Sequence, residues 1–376
     1  MADARPVVVV WKSSWLPGSQ TFVANQVGAM RRWRPLLLGV RRVPDGLPVA
    51  PDRAPFGAGR LGRGIHRLSA ATGYLGVYDG VIRSSGATVV HAHFGTSAVG
   101  VLPVARRHGL PLVVTFHGYD VTSEARRTDP AGGRYRARLQ EVFTYADTLI
   151  AVSDYVADRL VSLGAPAGKI RVQFIGIPTA GPEPAPLSSR RGIVFVGRIV
   201  ERKGVADLLD AVAALPPELR SVPVTVVGDG PLRLHLQAAS TSAGLDVTWR
   251  GFLTPARVAE VLRENAIFCA PSSTAASGDA EAFGMVHLEA ALQGLPVVAY
   301  AHGGVPQAVA DGVTGLLAPE KDVAALSEHL RTLLTNPGLA STLGAHGRER
   351  VLSDFDIVAR TAELEDIYAS AAARAR

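Results

Sequence analysis

The sequence predicts an α/β protein built from two doubly wound domains. Its 376 residues exceed what one hydrophobic core usually organises. Short apolar, β-branched runs alternate with helical stretches, the order of a parallel sheet covered by helices. That order stops near Ile177, passes through P-T-A-G-P-E-P-A-P-L-S-S-R-R, and restarts at G-I-V-F-V. A Pro-rich linker therefore separates two βα series. The expected boundaries are 1–177 for the first domain, 178–191 for the linker, 192–355 for the second domain and 356–376 for a last helix.

In the first series, V-V-V-V-W at 7–11 reads as a buried strand, followed by the loop K-S-S-W-L-P-G-S-Q and the helical T-F-V-A-N-Q-V. Gly18 lies in the turn entering that helix, where open backbone amides suit a phosphate. A plain tight turn explains it equally well. Leu36–Val40 is a second strand, 41–60 a loop, and Leu61–Arg83 a helical stretch. The strands T-V-V-H-A-H-F-G (88–95) and L-V-V-T-F-H-G-Y-D (112–120) end in His91, His93, His117 and Asp120. Ligands of open α/β sheets gather at such carboxyl ends. Alternation puts His91 and His93 on one face, but no carboxylate follows at ligand spacing, so no zinc site is expected. In D-T-L-I-A-V-S-D (147–154) a strand runs into a helix capped by Ser153 or Asp154.

The second series opens with G-I-V-F-V-G-R-I-V-E-R-K-G, in which a strand runs into Gly197-Arg198 and Lys203-Gly204 opens the next helix. Two cations on a strand-to-helix loop make an anion site. The glycines of G-D-G-P-L-R lack the third member of a dinucleotide fingerprint, which argues against an oxidoreductase. The most informative stretch is E-A-F-G-M-V-H-L-E, Glu281 to Glu289. It is apolar almost all round, so its helix is buried, and a lone buried carboxylate is costly. Glu289 therefore either meets an Arg or, with Glu281 and the amides between them, holds a polyhydroxylated ligand. Asp354-Phe355-Asp356 mimics a metal-binding pair, but Asp356 is better placed to cap the last helix.

Cys269, the only cysteine, sits in the apolar I-F-C-A-P, which excludes disulfides and cysteine metal sites. No signal peptide is read at the N-terminus, and a cytoplasmic protein is expected. Residues 1–190 carry 23 Lys+Arg against 12 Asp+Glu, a balance of +11, and the remainder carries −5. The arginines are scattered without interleaved aromatics, so nucleic acid is not the expected partner. A phosphate-bearing substrate or an anionic membrane surface fits better, with Arg60, Arg63 and Arg67 beside Leu61, Ile65 and Leu68 as a candidate interfacial face.

Two similar domains joined by a linker, the second carrying V-G-R-x₄-K-G, V-G-D-G-P, E-x₇-E and G-G-V-P, resemble the retaining glycosyltransferases of family 4, and the likeness covers the whole chain. P-G-S-Q-T-F, H-A-H-F-G and T-F-H-G-Y-D resemble members that build bacterial exopolysaccharide or lipid-linked glycans. The resemblance implies the GT-B fold: two Rossmann-like domains facing across a cleft, with the last helix packing back on the first. It implies that Arg198 and Lys203 hold the donor diphosphate, helped by amides near Gly18. Glu289 takes the ribose hydroxyls, and Glu281 with the amides of Ala282, Phe283, Gly284 and Met285 the transferred sugar. The base lies against Gly251, Phe252 and Leu253, and His117 contacts the sugar near the reacting centre. His93 and Asp120 are acceptor-side candidates. Gln307 departs from the Glu that many relatives carry after G-G-x-P. The implied reaction moves a sugar from a nucleotide-diphosphate sugar, UDP before GDP or ADP, to a glycan, lipid-linked or small-molecule acceptor, with no cofactor and no metal. A nucleotide-sugar epimerase and a non-catalytic nucleotide-sugar-binding protein are the alternatives.

Overall fold

A computed structural model describes all residues except 1–2, 19, 45, 56–58, 62–63, 65–75 and 376. Its contacts divide the chain into two units, Met1–Pro178 with Ile357–Arg376, and Thr179–Asp356. The described residues form one six-stranded sheet in each, with every pairing parallel.

In the first unit the strands are β1 (Val7–Trp15), β2 (Arg34–Arg42), β3 (Ala87–His93), β4 (Leu112–Phe116), β5 (Thr148–Ala151) and β6 (Ile170–Val172), in the order β2-β1-β3-β4-β5-β6. The order reverses between β1 and β3, so ligands are expected outside their carboxyl ends. Val8, Val9 and Val10 are fully buried, as a strand covered on both faces requires. Ser153 accepts the Val156 N–H and caps the helix Asp154–Ser162. The last helix, Ile357–Arg374, packs on this unit as expected. Leu364, Tyr368 and Ala371 share a core with Val8, Val10, Trp33, Val89, Val113 and Ile150. Glu365, 2% exposed, fixes the approach by accepting the N–H groups of Arg31, Arg32 and Trp33 at 2.8–3.0 Å. Of the candidate interfacial face, Arg63, Ile65, Arg67 and Leu68 lie outside the described residues.

The second unit holds β7 (Ile193–Val196), β8 (Val224–Val227), β9 (Val247–Gly251), β10 (Ile267–Cys269), β11 (Val297–Tyr300) and β12 (Gly315–Ala318), in the order β12-β11-β10-β7-β8-β9. Here the switch point lies between β7 and β10. Cys269 is buried in that sheet, as its apolar neighbours predict. No helix among the described residues is long and apolar enough to cross a membrane.

Candidate functional site

The second unit gathers most of the sequence-selected residues at the carboxyl ends of β7, β9, β10 and β11. The chain leaves β7 through Gly197-Arg198, makes a single turn over Glu201–Lys203, and enters the helix Val205–Ala213 after Gly204. Arg198 is exposed and makes no ion pair among the described residues. Lys203 reaches across the switch point and pairs with Glu281. Arg202 joins them, with Nη1 3.6 Å from the Glu281 carboxylate and Nε 2.9 Å from Asp279. Burial alone would raise the Glu281 carboxyl, but Lys203 and Arg202 outweigh it and hold it down at about 2.

The backbone around Glu281 is fixed from below by the G-G-V-P stretch. Gly304 donates its N–H to the Glu281 carbonyl at 2.9 Å. A Cβ on Gly304 would stand 1.9 Å from the Ala282 carbonyl oxygen, so only glycine allows this approach. The Glu281 N–H donates to His302 Nε2 at 3.3 Å, which leaves the imidazole proton on Nδ1, facing Glu320 at 3.2 Å. The Arg198 loop is seated in the same way: a Cβ on Gly228 would meet the Gly197 carbonyl oxygen at 1.9 Å.

Beyond Glu281, Ala282 and Phe283 are buried, the Phe283 ring lying 5.7 Å from Phe355. Gly284 caps the helix Met285–Leu292, and the N–H groups of Gly284 and Met285 meet no acceptor among the described residues. Glu289 sits one turn along this helix. It is half-buried, with no hydrogen-bond donor or cation paired to it among the described residues. Burial pushes its carboxyl up to about 7. Of the two sequence-based readings of Glu289, the Arg partner is absent among the described residues. At the end of β9, Gly251 accepts the Gly228 N–H at 2.8 Å, Leu253 is half-buried, and Phe252 stands 80% exposed. Asp356 precedes the last helix and accepts from the Thr179 hydroxyl, while Asp354 lies 3.6 Å from Arg350.

In the first unit, His117 follows β4 and is packed between the rings of Phe22 and Phe94, at 4.6 and 4.5 Å. Its Nε2 meets His93 Nδ1 at 3.1 Å. Burial holds both imidazoles neutral, with Lys12 and His91 adding to the effect. His91 is bonded to Thr115 at 2.8 Å and to Tyr368 at 2.6 Å, so it belongs to the core. Asp120 is fully buried and accepts the N–H groups of Gly95, His117 and Gly118 at 2.7, 3.2 and 3.0 Å. Neither His93 nor Asp120 reaches solvent, so an acceptor role for them runs through His117 and Gly95, which they hold. Gly18 is exposed in the turn before the helix Thr21–Ala29.

Against known proteins, residues 20–180 match the family described as Glycosyltransferase Family 4, and residues 183–350 match Glycosyl transferases group 1. The chain is 32% identical to the GDP-mannose-dependent alpha-(1-6)-phosphatidylinositol monomannoside mannosyltransferase of Mycolicibacterium smegmatis, over 73% of this chain and 75% of the relative. It belongs to glycosyltransferase family 4. It is also 30% identical to WcaL of Escherichia coli K12, a glycosyltransferase named for colanic acid biosynthesis, over 72% of this chain and 67% of WcaL. Among solved structures, HepE of Anabaena in complex with UDP superposes with a TM-score of 0.75 over 97% of this chain and all of HepE, at 19% identity. That likeness bears on the fold, which is GT-B. The chain is accordingly a glycosyltransferase.

Arg202 and Lys12 are the residues that sequence reasoning missed. Arg202 stood inside the quoted E-R-K-G, but its pairing with Asp279 and Glu281 depends on loops distant in sequence. Lys12 carried a signal, a single cation within a buried strand, which went unused.

Proposed function

We propose that this family member is a retaining hexosyltransferase that moves a sugar from a UDP-sugar to a hydroxyl of a glycan, lipid-linked or small-molecule acceptor. The observation that carries the reading is Glu289, a carboxylate without a partner among the described residues, on the helix that follows Glu281. A vicinal diol accepts bidentate binding by such a carboxylate, which suits the ribose of the nucleotide. The bare ring of Phe252 offers a face for the base. Arg198, unpaired among the described residues, offers the diphosphate a cation, and the amides of Gly284 and Met285 lie beside Glu281, where the transferred sugar is expected. UDP leads among nucleotides because HepE, a neighbour in fold, was solved with it.

In the reaction the anomeric C–O bond to the diphosphate breaks and the acceptor oxygen bonds to the same face of that carbon. The acceptor proton passes to the leaving phosphate oxygen. Fixed cations at Arg198 and Lys203 stabilise the charge that develops there, work that needs no metal. No comparison supports the epimerase alternative. A thermal-shift panel of UDP, GDP and ADP tests the reading. The matching nucleotide at 100 times its Kd adds about 2.7 kcal/mol of stability, and no response to any of the three rejects it.

Peripheral contact of the first unit with an anionic membrane belongs to the same proposal. It rests on the +11 balance and on Leu61, 78% exposed beside Arg60. Failure to co-sediment with anionic liposomes at low salt removes it.

A further inference from the structure

Strands β1 and β2 lie side by side with Lys12 paired to Gly39 and Ser14 to Arg41, so Lys12 and Arg41 project from the same face of the sheet. Lys12 is only 7% exposed. Its ammonium makes no ion pair and no hydrogen bond among the described residues, and lies over the Phe94 ring, 4.5 Å from the centroid. Arg41 makes no ion pair among those residues either, and its Nε is buried without an acceptor. Buried charges in proteins are ordinarily paired, because an uncompensated one is costly. The negative charge that acts on Lys12 is Asp120, which already accepts three backbone N–H groups. Burial lowers the Lys12 ammonium to about 8, Asp120 opposing and Arg41 adding, so it stays largely charged at pH 7.

The surroundings are those of a site. Lys12 lies in the carboxyl half of β1, at the switch point of the first sheet, and shares the Phe94 ring with His117. Phe94 holds φ at +73°, a conformation that costs a non-glycine residue about 1–3 kcal/mol and persists only where surrounding structure imposes it. That backbone places the ring between the buried ammonium and the imidazole.

We infer that Lys12 and Arg41 bind an anionic group, a phosphate or a carboxylate, carried by the acceptor. The inference rests on the reading that the first unit takes the acceptor, and it gives that acceptor a chemical class. An ammonium serves such a group as a point charge, and a guanidinium as a two-pronged donor. A neutral glycan would leave both cations unpaired.

The test uses inorganic phosphate as the probe, added to the full chain at constant ionic strength, with unfolding followed by thermal shift. Phosphate should raise the Tm of the wild type by at least about 2 °C. Lys12→Met should lose that response, while in phosphate-free buffer its Tm equals or exceeds that of the wild type, because the variant no longer buries a lone charge. Arg41→Gln should keep the fold and weaken the phosphate response roughly tenfold in apparent Kd. A wild type blind to phosphate, together with a Lys12→Met variant destabilised in its absence, would make Lys12 a counter-ion of Asp120 and overturn the proposal. Repeating the titration with saturating UDP separates the sources. A surviving phosphate response assigns the anion to the acceptor, whereas its abolition gives the cations to the donor and overturns the assignment. UDP stabilisation without phosphate stabilisation rejects this site alone and leaves the glycosyltransferase reading intact.

Discussion

The ammonium of Lys203 and the carboxylate of Glu281, 78 positions apart in sequence, form one ion pair across the switch point of the second sheet. The pair is mostly buried, at 15% and 14% side-chain exposure, and Arg202, bridging Glu281 and Asp279, joins it to a second ion pair. The geometry of the two loops is thus set by electrostatics before any ligand arrives. On the proposed reading, a diphosphate entering here would meet cations already held in place, which avoids reorganisation at the moment of reaction.

Lys203→Ala should lower kcat/KM at least about 100-fold, on the order of 2.7 kcal/mol of lost charge stabilisation. It also strands Glu281 with only the longer contact to Arg202, so the variant's fold is checked by circular dichroism. Steady-state transfer kinetics measure the effect, and unchanged turnover in a folded variant rejects the donor site.

Glu281 and Glu289 should respond to pH with opposite signs. Glu281 is held below its ordinary value of 4.5, at about 2, so its contribution is complete above pH 4.5 and is lost as the pH falls toward 2. The stability gap between wild type and Glu281→Gln should be about 3 kcal/mol at pH 7 and shrink over that acid window. Glu289 is raised to about 7, so its stability is complete below pH 4.5 and is lost as the pH rises through 7. Glu289→Gln should therefore gain on the wild type across that range, by on the order of 1 kcal/mol after solvent screening. Denaturant titrations at a series of pH values give both curves, and parallel curves for the two variants contradict the assignment.

Gly304→Ala should damage the site without touching a ligand. The new Cβ would collide with the Ala282 carbonyl and push the Glu281 loop upward. A loss of about 2–4 kcal/mol in unfolding free energy or a 10-fold fall in transfer is expected. A variant with wild-type stability and activity would show that the loop is not so braced.

If Arg198 and Lys203 supply the charge that a metal would otherwise provide, as proposed, transfer should survive excess chelator. Abolition by chelator with rescue by magnesium or manganese would refute this.

The alternation of apolar runs and helical stretches was enough to read both parallel sheets, and the last helix, expected within 356–376, runs over Ile357–Arg374. At the site, Glu281, Glu289 and Arg198 were legible because each is a charge or an open turn in a setting that otherwise rejects it. What local pattern could not supply is partnership. Lys203 reads as a free phosphate ligand until its ion pair with Glu281 is seen, and Asp120 reads as an acceptor-side candidate until its three backbone donors are. Such contacts join residues distant in sequence or depend on backbone direction, and neither leaves a periodic trace.

The division of labour between the two glutamates is the centre of this account, and calorimetric titration with UDP alone tests it most directly. UDP should bind the wild type, bind Glu289→Ala at least about tenfold more weakly, and bind Glu281→Ala nearly as tightly as the wild type. Equal losses in both variants, or UDP binding that ignores Glu289→Ala, would contradict it.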